Sequence, residues 1–141
     1  MVVLFTRSSL PVSWLIRKIT GEDCSHVAIL QDGHVIHCDF TGVHLVTLEE
    51  FTKHSQIVHE AKLDQSIDMK AVYEKHRHAW YDFGALSYLG LRYLFPFLPK
   101  ANLWQTTGMY ICSEFVTEVV TGHEDSMITP YGLYCELTQN K

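Results

Sequence analysis

Ser25-His26-Val27-Ala28-Ile29-Leu30-Gln31-Asp32-Gly33-His34-Val35-Ile36-His37-Cys38-Asp39 is the stretch from which the fold can be read. Two β-rich runs, Ser25 to Gln31 and His34 to Asp39, flank Asp32-Gly33, a pair that tolerates the positive φ of a type I′ hairpin turn. A two-residue turn fixes the register, with Gln31 opposite His34, Ala28 opposite His37 and His26 opposite Asp39. Side chains alternate along a strand, so His26, Ala28, His37 and Asp39 share one face and Val27, Ile29, Ile36 and Cys38 the other. His26 and His37 become diagonal neighbours, Asp39 lies directly across from His26, and either is in reach to orient the His26 ring.

Outward from the hairpin the pattern is mixed. Val2 to Thr6 reads as a strand. Val12, Leu15, Ile16 and Ile19 recur at helical spacing from Pro11, which suits a first helical turn, and Gly21 stops the helix. Gly42 separates the hairpin from a third strand, Val43 to Thr47, and Thr47 through Phe51 forms a capped helical turn with acidic residues near its start. Gln56 to Ala61 is a further strand, and Ser66 to Trp80 a helix. Asp82 caps an apolar helix over Phe83 to Leu98, and Cys112 to Thr121 is a helix ended by Gly122. A strand and helix, an antiparallel group and then mostly helices predict an α+β protein.

The 141 residues fit a single domain spanning 1–141, and no repeat or linker divides them. The net charge of -5 and the lack of a basic stripe argue against nucleic-acid binding, which relies on dense Lys and Arg. Met1 to Arg7 has no basic region ahead of its apolar residues, so an intracellular protein is expected. Cys24, Cys38, Cys112 and Cys135 are accordingly read as free thiols. The aromatic stretch Phe83 to Leu98 contains Arg92 and Pro96 and is too short for a transmembrane segment. It suits a buried helix, a groove wall or a peripheral membrane contact.

Tyr110-Ile111-Cys112-Ser113-Glu114-Phe115-Val116 puts a cysteine where a helix begins. A thiol attacks acyl carbon as thiolate, which a helix N-terminus and an adjacent imidazolium both stabilise. Cys112 is therefore a candidate nucleophile and His26 its base, with His37 or Asp39 holding the imidazole. The competing reading makes Cys112 a buried small apolar residue, common for free cysteine. Cys24, His26, His37 and Cys38 do not make a zinc site, because Cys38 points away from both histidines. No metal is expected. His54, His59 and His123 read as surface residues, His76 and His78 do not share a helix face, and His44 borders the groove.

These segments resemble the circularly permuted branch of the papain-like fold, the NlpC-type superfamily that includes YiiX-like hydrolases and the lecithin:retinol acyltransferase group. The likeness covers most of the chain. Ser25 to Ile29 is similar to the family's Ser-His-Val-Gly-Ile strand, and Val35-Ile36-His37 to the strand carrying the third polar residue. Gly42 through Phe51, Tyr81-Asp82-Phe83-Gly84, Tyr110 through Val116 and Thr129-Pro130-Tyr131-Gly132-Leu133 complete it. YiiX-like members usually carry Glu where this chain has His37, whereas Cys112-Ser113-Glu114 is closer to the YiiX-like form than to the acyltransferase form.

The resemblance implies an antiparallel, barrel-like sheet packed against helices, with the nucleophile at a helix N-terminus. It further implies Cys112 as nucleophile, His26 as base, His37 as orienting residue and Tyr110 beside the oxyanion. The function expected is a cysteine hydrolase, a peptidase, amidase or esterase, working through an acyl-enzyme intermediate on a peptide, amide or lipid-ester substrate. No cofactor is needed. Two alternatives stay open: a lipid acyltransferase or thioesterase, and a noncatalytic binding or structural module that retains the fold.

Overall fold

The computed structural model describes residues 1–81, 95, 97, 109–123 and 128–139, with the side chains at 80, 81, 109 and 110 left aside. The sheet grows from the hairpin. β1 (Val2–Arg7), β2 (His26–Gln31), β3 (His34–Asp39), β4 (Gly42–Thr47) and β5 (Gln56–Lys62) form one antiparallel sheet in the order β4-β3-β2-β1-β5. Asp32 and Gly33 take φ values of 50° and 77°, as a type I′ turn requires. Gln31 faces His34 and Ala28 faces His37, the expected register. The β2–β3 ladder ends there, and the partner of His26 is Thr6 of β1 in place of Asp39.

Alternation gives the sheet two apolar faces, each covered differently. Val3, Phe5, Val27, Ile29, Ile36 and Cys38 pack with Cys112, Phe115 and Val116 of the helix Cys112–Thr121 and with Leu133 of the helix Pro130–Gln139. Leu4, Ala28 and Val35 pack under Phe51 on the opposite face. Each large apolar side chain so buried contributes about 1.5–3 kcal/mol. In chain order the helices are α1 (Pro11–Thr20), α2 (Leu48–Thr52), α3 (Met69–His76), α4 (Cys112–Thr121) and α5 (Pro130–Gln139). Tyr134 fastens α5 to the sheet, its ring 5.3 Å from that of Phe5 and 4.6 Å from that of His59.

Most helix ends follow the sequence. Pro11 opens α1, and Gly21 and Gly122 close α1 and α4 with φ of 71° and 74°. The Thr47 hydroxyl accepts the Glu50 N–H at 3.2 Å at the start of α2. One expectation needs correction, and one element was not foreseen. The helix expected over Ser66 to Trp80 is confined to Met69–His76, because the Asp68 carboxylate takes the N–H groups of Lys70 and Ala71 at 3.1 and 2.9 Å and starts it there. Trp80–Tyr81 (β6) instead pairs in parallel with Met109–Tyr110 (β7). The sequence reading assigned no element to Pro130–Gln139, where the structure has α5. Gly132 weakens its helical signal, while Thr129 Oγ1 accepts the Gly132 N–H at 3.0 Å.

The apolar segment Phe83 to Leu98 and its cap Asp82 lie outside the described residues except for Phe95 and Phe97, which are exposed. No helix among the described residues is long and apolar enough to cross a membrane.

Candidate active site

His26 opens β2 and His37 stands diagonally across from it on β3. Their rings meet edge to face, with His26 Nε2 3.2 Å from His37 Nδ1. Phe51 packs against both rings from α2. On β4, His44 pairs with His37, the two rings 5.5 Å apart. His44 Nε2 lies 3.1 Å from Asp39 Oδ1, and Thr41 donates to the same oxygen from its hydroxyl at 2.7 Å and its N–H at 2.8 Å. His37 is therefore the residue bonded to His26, while Asp39 is held by the turn it starts.

Burial sets the charge state of this cluster. It pulls the His26 imidazole down to about 3, reinforced by His37 and opposed by Asp39. Burial likewise lowers His37 to about 4, with Asp39 opposing and His44 adding to the shift. For Asp39 burial acts upward, but the two Thr41 donors and the nearby histidines outweigh it and leave the carboxyl below its ordinary value. At neutral pH the site holds two neutral imidazoles and one carboxylate.

A cavity of about 340 Å³ lies over this face of the sheet, among α1, α2 and the end of β3. His26, His37, Asp39 and His44 line it together with Thr6, Ser13 and Ser25. Ser13 Oγ and Ser25 Oγ are 2.6 Å apart, which ties α1 to the residue before His26. His44 borders the groove as expected. Thr6 and Ser13 were not anticipated. Strand alternation would have put Thr6 on the Leu4 face, but only its pairing with His26 makes it part of the site.

Cys112 occupies the first position of α4, as expected. The Glu114 carboxylate accepts the Ile111 N–H at 3.2 Å and secures the helix start. The thiol is buried in the apolar cluster on the Val27 face, the side of the sheet opposite Ala28 and Phe51. Burial pushes it up to about 11, against the N–H groups of Val27, Ser113 and Cys112 itself, which favour the thiolate. The sequence pointed to a lowered thiol pKa, and the direction is reversed because desolvation exceeds what the helix terminus supplies.

The structure thus brings His26, His37 and Asp39 to one cavity and seats Cys112 in the apolar cluster with Val27, on the other face of the same strand. No hydrogen bond joins Cys112 to His26 among the described residues. Cys24 and Cys38 are buried in the same cluster as Cys112, and all four cysteines are free thiols. Tyr110 contributes its backbone to β7, and its side chain lies outside the described set. Among the described residues, no group of three or more His, Cys, Asp or Glu side chains is arranged to hold a metal ion. No protein-family model and no curated protein matches this chain.

Proposed function

We propose that this protein is a thiol hydrolase of the permuted papain-like, NlpC-type kind its sequence resembles, cleaving an amide or ester with Cys112, His26 and His37. The observation that carries the reading is the 3.2 Å contact between His26 Nε2 and His37 Nδ1. When His26 Nε2–H donates to His37, the His26 Nδ1 lone pair is left free to accept a proton. The packing of Cys112 with Val27 supports it further, because it sets the nucleophile's helix against the histidine's strand, with the Val27 N–H favouring the thiolate.

In this reading both partners rest neutral. From resting places on opposite faces of the sheet, Cys112 and His26 must meet around the start of β2, which His26 opens; the Cys112 proton then passes to His26 Nδ1 as sulfur bonds to the acyl carbon, with the Ser113 and Cys112 N–H groups beside the reacting sulfur. The carbon–heteroatom bond breaks as His26 protonates the leaving group. Water then gives a proton to His26 and its hydroxyl to the acyl carbon, and the departing sulfur recovers its proton. Deacylation to a lipid or other acceptor in place of water would make the same site an acyltransferase.

Turnover of a neutral p-nitrophenyl ester provides the test. Cys112→Ala is expected to abolish it, His26→Ala to lower kcat by about 10²–10⁴-fold, and His37→Asn to lower it less. Equal turnover by the wild type and Cys112→Ala would sink the proposal. The second reading, a noncatalytic module, is favoured by one observation: Cys112 is only 5% exposed, among apolar side chains. It requires that no ester or amide be turned over through Cys112.

A further inference from the structure

We propose that the cavity over His26 and His37 binds an uncharged molecule, which presents a hydrogen-bond acceptor to Thr6 Oγ1 and lays its hydrocarbon part against Leu10, Val12, Ile16, Val46 and Phe51. Thr6 has no exposed surface, and its Oγ1 has no hydrogen-bond partner among the described residues. A buried hydroxyl left unpaired is costly, and Thr6 is one of the residues that line the cavity, so a ligand's acceptor reaching its hydroxyl would gain a bond the fold leaves unmade. Its polar neighbours are already engaged: Ser13 Oγ pairs with Ser25 Oγ and accepts the Ser8 N–H at 3.0 Å.

Charge narrows the ligand class. Among the described residues, Asp39 and Glu50 are the charged side chains of the lining, which includes no described Lys or Arg, and His26 and His37 are neutral at physiological pH. An anionic ligand would meet repulsion from Asp39 and Glu50 and no cation among the described residues. Apolar side chains from α1, β4 and α2 form the remaining wall, and the volume suits a small ligand. An uncharged molecule with one hydrogen-bond acceptor and a short hydrocarbon chain fits these walls. Binding in this cavity does not require Cys112, which lies on the other face of the sheet.

The test is an amide-resolved NMR titration of the full chain with N-methylhexanamide, in the wild type, Cys112→Ala, Thr6→Val and Val12→Trp. Saturable shifts centred on Thr6, Ser25 and His37 are expected in the wild type and in Cys112→Ala. Thr6→Val keeps the shape and removes the hydroxyl, and is expected to weaken binding by roughly three- to tenfold. Val12→Trp, on a partly exposed helix position that tolerates size, is expected to abolish it. Absence of saturable shifts in the wild type, or equal affinity in Thr6→Val, would overturn the inference. Amide binding without ester turnover would sink the hydrolase reading and leave the cavity standing; turnover without binding would do the reverse.

Discussion

Cys112 and Thr6 each have a measurable signature. The Cys112 thiol is raised by burial to about 11, so its alkylation by iodoacetamide is expected to stay slow at neutral pH and to keep accelerating up to about that pH. A plateau below the ordinary thiol range would show a resting thiolate and contradict this placement. Thr6 tests a trade of stability for function. Thr6→Val removes an unpaired buried hydroxyl, so urea unfolding is expected to show a gain of about 1 kcal/mol, together with the loss of ligand affinity. The histidine pair was legible in the sequence because strand alternation and a two-residue turn are local sterics. The burial that opposes the Cys112 helix terminus was not legible, since it depends on which residues the rest of the chain brings over the sulfur.

At the scale of elements, local signals held where a backbone requirement was strong. The Asp32-Gly33 turn and the glycine stops of α1 and α4 need positive φ, and the residue type announces it. The signal was poorer where two starts competed: Asp68 wins over Ser66 at α3 because its carboxylate takes two N–H groups at once. Asp68→Ala is expected to cost about 1 kcal/mol in chemical denaturation. Gly132 masked α5, which forms because tertiary contacts of Tyr134 and Leu133 outweigh propensity. Phe115 is the largest α4 side chain in the core, fully buried beside Val27 and Cys38. Phe115→Ala is expected to destabilise by about 3–5 kcal/mol and to loosen the seat of Cys112.

For the whole molecule, the sheet is the organising feature, with one face given to the apolar cluster around Cys112 and the other to the histidine cavity. Sequence parity predicted which residues share a face, but the face that α4 covers depends on the path of the entire chain. The two neutral histidines also link the fold to pH. Their folded values of about 3 and 4 lie below the ordinary 6.5, so the unfolded chain takes up protons first as pH falls. Stability is therefore full above about pH 6.5 and is lost toward pH 4, with a slope of up to about 1.4 kcal/mol per pH unit for each histidine. Urea midpoints measured across that range are expected to fall, and to fall less steeply in His37→Asn. The most direct test of the catalytic reading is to mix the protein with p-nitrophenyl butanoate, quench with acid and map the acylated peptide by mass spectrometry. A butanoyl thioester on Cys112 that forms in the wild type, slows sharply in His26→Ala and disappears with time is the expected result. Unmodified Cys112 under conditions that release p-nitrophenol, or acylation unaffected by His26→Ala, would contradict it.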